Sequence, residues 1–170
     1  KNHFFKVVDG WDKAWNKEIA AIPPKNISKL ALREIDKHPE KRCIIHYCQP
    51  HAPYLTYKSL NIHRTRKGKK TRFRKDTIQE KIKIFLANGL VFVGGTELIW
   101  KLNNFFNIMK PRYLEYIWRE KGKQGIIKGY ISNLNVVLDE LKKICSRLPG
   151  TIIITADHGE MLGEKKYYGH

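Results

Sequence analysis

Long hydrophobic runs are missing from this chain. No apolar stretch exceeds about five residues, against the roughly 20 that a membrane-spanning helix needs, so a transmembrane helix is excluded. Cysteine is scarce: Cys43, Cys48 and Cys145 are the only three. They form no metal-type C-x-x-C pair, and their odd number does not suggest a disulfide framework, which favours a reducing, cytoplasmic compartment. The opening Lys1-Asn2-His3-Phe4-Phe5 has neither an initiator methionine nor a signal-type apolar segment, and nothing follows His170. The 170 residues therefore read as a single partial domain, a portion of something longer. Acidic residues are few, 16 against 33 Lys and Arg, which leaves a net charge of +17.

What is present is a globular composition. Hydrophobic residues make up 42% and charged residues 29%, which excludes disordered, collagen-like and fibrous classes. The positive charge is concentrated. Lys58, Arg64, Arg66, Lys67, Lys69, Lys70, Arg72, Arg74 and Lys75 carry nine of the charges, and removing those nine leaves +8 of the +17. The segment 58–75 reads as a solvated, mobile basic loop. From His63 to Lys75 Phe73 is its single aromatic, too little for the stacking platform of a single-strand binder, so nucleic acid is disfavoured as a partner. Steering of an anionic substrate, or contact with a lipid surface, stays open.

Periodicity places the elements. Phe4–Val8 predicts a short strand, and Trp11 and Trp15 have the i, i+4 spacing of core packing. Pro23-Pro24 opens a helix along which Ile27, Leu30, Ala31 and Ile35 recur, and His38-Pro39 stops it. Cys43–Cys48 predicts a buried strand that includes His46 as a core histidine. Helices are predicted over 77–87 and 97–109, with a brief strand over 90–93 between them. The stretch 112–148 predicts helix, loosened at Gly122 and Gly125, with Tyr130, Leu134, Val137, Leu138, Leu141, Ile144 and Leu148 along one side. Pro149-Gly150 breaks it, and Thr151–Thr155 reads as a fully buried β-branched strand. Helix, break and buried strand together predict half of a parallel α/β unit.

Two places carry chemistry, each after one of these strands. Asp157-His158 pairs a hard carboxylate oxygen with a borderline imidazole nitrogen, a combination suited to zinc, manganese or iron. Gly159 would let the chain turn away, and Glu160 would orient His158 from behind or open a helix. A strand ending in a polar turn capped by Asp157 accounts for the same residues. The second place is His46-Tyr47-Cys48-Gln49-Pro50-His51-Ala52-Pro53-Tyr54, where the prolines on either side of His51 restrict the backbone that presents its imidazole.

Thr151-Ile-Ile-Ile-Thr-Ala-Asp-His-Gly-Glu-Met-Leu-Gly-Glu164, with Gly169-His170 after it, resembles the C-terminal metal motif of the sulfatase and alkaline-phosphatase superfamily. His46-Tyr-Cys-Gln-Pro-His-Ala-Pro53 is similar to the H-x-x-x-P-H-x-P loop of sulfatase-like members, and the stretch from Tyr130 through Asn133 to Leu138 resembles the helix leading to the D-H-G strand. The resemblance covers roughly residues 41–170. It implies an α/β fold, the alkaline-phosphatase-like parallel-sheet sandwich, present as an incomplete C-terminal portion. It also implies a metal-dependent hydrolase of phosphate or sulfate esters acting on an anionic ester substrate. By the same resemblance Asp157, His158 and His170 would hold a divalent ion (zinc, manganese or calcium), and His51 would contact the transferred group. His51 and His170 correspond to histidines that bind that group or a second ion.

The chain departs from the pattern in three ways. The nucleophile is absent, no carboxylate matches the first metal ligand (Asp9 and Asp12 are poor substitutes), and Lys165-Lys166 stands where the family has H-G. The 170 residues are therefore expected to bind metal weakly and to catalyse nothing by themselves. Two other functions stay open, a phospho-headgroup transferase on the same scaffold and a non-catalytic basic nucleic-acid-binding module. Dimerisation through an exposed sheet edge also stays open.

Overall fold

The computed structural model describes residues 3–57, 94–106 and 111–169. The basic segment 58–75, the helix expected over 77–87, the strand expected over 90–93 and His170 lie outside the described residues. The described chain divides into two compact units, one formed by Lys1–Thr65 and Tyr130–Ile154, the other by Arg66–Gly129 and Thr155–His170.

In the first unit, α1 (Gly10–Lys13) is a single turn whose N-terminus is capped by Asp9, the Oδ1 of which accepts the Trp11 N–H at 2.8 Å. Helix α2 (Pro24–Lys37) starts where the prolines predict, because the missing N–H of Pro24 falls among the first positions, which have no helical acceptor. It ends at His38, whose N–H bonds back to the carbonyls of Glu34 and Ile35. Lys6 pairs with Glu34 on its exposed side. Trp11 and Trp15 do meet, with ring centroids 5.6 Å apart, but Trp11 is exposed, so the pair lies at the surface rather than in the core. The core here is Ala14, Ala20, Ala21, Ile22, Tyr54, Val137 and Ile144.

In the second unit, α3 spans 94–106, starting three residues before the helix expected over 97–109. Helix α4 (Tyr113–Cys145) starts in this unit and belongs to the first from Tyr130 onward; it is broken at Gly122, where φ 63 and ψ −168 are backbone angles that a residue with a Cβ resists. The break falls where glycine spacing predicts loosening. The start of α4 is set by Glu115. Its carboxylate accepts the Arg112 N–H at 3.4 Å, bonds Arg119 Nη2 at 2.6 Å and takes the Asn103 amide at 2.6 Å. This side chain, 4% exposed, is therefore neutralised and hydrogen-bonded where it is buried. Trp100 stacks on Tyr168 at 4.8 Å, and Ile117 and Ile126 are buried. Strands β1 (Met161–Leu162) and β2 (Tyr168–Gly169) pair antiparallel, Met161 opposite Gly169 and Leu162 opposite Tyr168.

The parallel α/β sandwich is not what forms. Among the described residues helix dominates, and the β1–β2 pair is the sheet. The three runs read as strands, 4–8, 43–48 and 151–155, are irregular, with bends at Phe4 and Phe5, and join no ladder with described residues. They are also not buried: Ile44 is 79% exposed and Ile153 86% exposed, and His46 is exposed rather than a core histidine. β-branched, apolar composition measures how well a residue fits a pleated surface once neighbouring strands exist; it does not supply those neighbours. Ile154, itself exposed, lines a shallow groove of about 580 Å3 together with Leu138, Leu141 and Cys145 of α4.

Candidate functional site

The loop carrying His51 is built on acceptors. Pro50 and Pro53 have no N–H, so residues 50–53 offer four carbonyls and only two backbone donors. Buried carbonyls need partners, and α4 supplies them through Asn133, which is 0% exposed. Its Nδ2 lies 3.3 Å from the Pro50 carbonyl, 3.0 Å from that of His51 and 3.2 Å from that of Pro53. Its Oδ1 accepts the Leu55 N–H at 2.8 Å. Gln49, also buried, anchors the near end by donating Nε2–H to the Ile22 carbonyl at 2.9 Å. Thr56 bonds Ser132 at 2.5 Å beyond the far end, and Ser28 bonds the Tyr47 hydroxyl at 2.8 Å before the loop. Tyr54 is wholly buried. Burial pushes the Tyr47 and Tyr57 phenols and the Cys48 thiol up from their ordinary values, so each is held in its neutral form. His51 therefore sits in a loop whose backbone is fixed by side chains from elsewhere in the unit.

The second place is built differently. Asp157 and His158 are exposed, in a bend of the second unit. The Asp157 Oδ1 accepts the His158 N–H at 3.0 Å. The His158 Nδ1 lies 2.8 Å from the Gly159 carbonyl oxygen, which assigns the proton of a neutral ring to Nδ1 and the lone pair to Nε2. Nε2 is 3.9 Å from Asp157 Oδ1. Two donors each about 2.1 Å from a tetrahedral ion stand roughly 3.4 Å apart, so a small rotation brings this pair into coordinating distance. The chemistry and spacing fit a divalent cation with two ligands. Among the described residues no group of three His, Cys, Asp or Glu side chains is arranged to hold one.

The remaining candidates fall as follows. His51 is in the first unit, and Asp157, His158 and Glu160 are in the second. Glu160, expected to orient His158, is half-buried, and the Gly159 carbonyl stands against Nδ1. Gly159 itself lies outside the left-handed region with open space around it, so no turn there demands glycine. Asp9 is occupied as the cap of α1. Lys165 and Lys166, at the position where the resembled pattern has H-G, both adopt left-handed angles, φ 47 and φ 68. A glycine at the second of these would be unstrained. Sequence reasoning includes Asn133 only within the helix resemblance and assigns it no role of its own. Its signal was a single polar side chain four residues before Val137 on the buried side of α4.

Among the described residues no helix is long and apolar enough to cross a membrane. Comparison with protein-family models, curated proteins and solved structures finds no match to this chain.

Proposed function

We propose that this chain contributes to metal-dependent hydrolysis of phosphate or sulfate esters, with Asp157 and His158 as ligands to a divalent ion and His51 as a contact to the transferred group. The observation that carries the reading is the His158 ring. Its Nδ1 is engaged by a carbonyl at 2.8 Å while Nε2 faces a carboxylate oxygen 3.9 Å away, the tautomer and neighbour that a histidine ligand requires. The order of the two motifs along the chain, H-x-x-x-P-H-x-P and then D-H-G-E, supports it further. A bound ion would act as a Lewis acid on the ester oxygen. The excess of cations over anions, +17 in all, favours an anionic substrate. The three cysteines, none of them in a disulfide, suit a reducing compartment.

Zinc and inorganic phosphate separate the two roles without requiring turnover. In calorimetric titrations, the Asp157→Asn chain is expected to bind zinc more than about tenfold more weakly. The His51→Ala chain is expected to keep zinc but to lose the phosphate that the zinc-loaded chain binds. Zinc affinity indifferent to Asp157→Asn would overturn the reading.

A further inference from the structure

The His51 loop has an acceptor problem that its own residues cannot solve. Of four consecutive carbonyls, two of them on prolines, three converge on one atom, the Nδ2 of Asn133, at 3.0–3.3 Å. A side-chain amide has two hydrogens on its nitrogen and an acceptor on its oxygen. Here both hydrogens are shared among the carbonyls of Pro50, His51 and Pro53, and the oxygen takes the Leu55 N–H at 2.8 Å. The backbone before, at and after His51 is thereby tied to one point on α4. Aspartate has the same shape but would set two acceptors against three more. Leucine or alanine would leave the three carbonyls without this donor in a part-buried site.

We propose that Asn133 is the positioning residue for His51. A single wholly buried amide fixes the peptide planes on both sides of the histidine, and so sets the direction in which its imidazole is presented to the transferred group. The role assigned to the imidazole rests on the ester-hydrolase reading above; the role assigned to Asn133 rests on the hydrogen bonds alone. Gln49 and the Thr56–Ser132 bond secure the two ends of the loop, whereas the Asn133 amide bonds inside it, at the carbonyls of Pro50, His51 and Pro53.

The test starts with the unaltered chain, followed by nuclear magnetic resonance. The Asn133 side-chain amide protons and the Leu55 N–H are expected to exchange slowly; exchange at the rate of a free amide would overturn the proposal, even if no variant folds. The Asn133→Asp carboxylate still accepts the Leu55 N–H but donates nothing to the three carbonyls, so Leu55 is expected to stay protected while the loop loses its tie. The His51 ring resonances are expected to move toward those of an unstructured peptide. Ser132→Ala, one residue away on the same helix, is expected to leave the His51 ring where it is. Unchanged His51 ring resonances in Asn133→Asp would overturn the proposal.

Phosphate titration of the zinc-loaded chain separates this inference from the reading beneath it. Asn133→Asp is expected to weaken phosphate as much as His51→Ala does while zinc affinity holds. If phosphate binding ignores His51→Ala but Asn133→Asp still displaces the ring, the positioning role stands and the ester reading of His51 falls.

Discussion

The loop around His51 and the bend at Asp157-His158 present the same kind of side chain by opposite means. The loop is held from a distance in sequence: Asn133 reaches it across roughly 80 residues, Gln49 ties it to Ile22, and Tyr54 is sunk into the core. The bend lies on the surface, and the two hydrogen bonds that define its geometry span one residue each. A group meant to meet a substrate in one orientation gains from rigid support, because each rotamer frozen beforehand need not be frozen on binding. A pair meant to close on a cation can stay open, since the ion itself supplies the energy that orders its ligands. The two regions thus divide preorganisation from assembly.

Breaking the supported side has the largest effect. Tyr54→Ala removes a wholly buried aromatic ring and is expected to cost about 3 kcal/mol or more of stability in urea unfolding. A loss under about 1 kcal/mol would mean that the loop is not part of the core. On the other side, Lys166→Gly relieves a left-handed backbone at φ 68 and is expected to raise stability by about 1 kcal/mol, read from the same unfolding curves.

The pH dependence is smaller, and its sign follows from burial. The Tyr47 phenol is pushed up, so the folded chain holds that proton more tightly than the unfolded chain. This contribution is complete below the unfolded tyrosine value near about 10 and is lost as pH rises through the folded one. Tyr47→Phe is expected to flatten that alkaline decline. The smallest effect on folding falls at the exposed bend. Asp157→Ala is expected to change stability by less than about 0.5 kcal/mol while abolishing zinc binding. A large loss of stability instead would make Asp157 a structural residue.

Helices were legible in the sequence because their signals are local. Pro23-Pro24 and His38-Pro39 bracket α2, which runs Pro24–Lys37, and Gly122 marks the break in α4. Strands were not, because a strand depends on a partner that its own residues do not encode. Thr151–Thr155 has the composition of a buried strand and is exposed, irregular backbone, and Cys43–Cys48 likewise forms no strand and is not buried. The candidate site divides along the same line. Asp157 and His158 are neighbours in sequence and stay neighbours in space, so their pairing could be read directly. Asn133 could not be, because nothing near it in the chain indicates that three carbonyls will converge on its amide. The prolines at 50 and 53 were visible as restraints on the backbone. Their second consequence, a loop short of donors, emerges only once a buried amide is found facing it.

The central claim is that His158 is poised as an Nε2 ligand beside Asp157, and zinc titration followed through the ring nitrogens of His158 tests it most directly. The account expects the Nε2 resonance to shift with added zinc while Nδ1 stays protonated against the Gly159 carbonyl, and expects the shift in Asp157→Asn to require more than about tenfold more zinc. His158 nitrogens that ignore zinc, or that respond equally well without the Asp157 carboxylate, would contradict it.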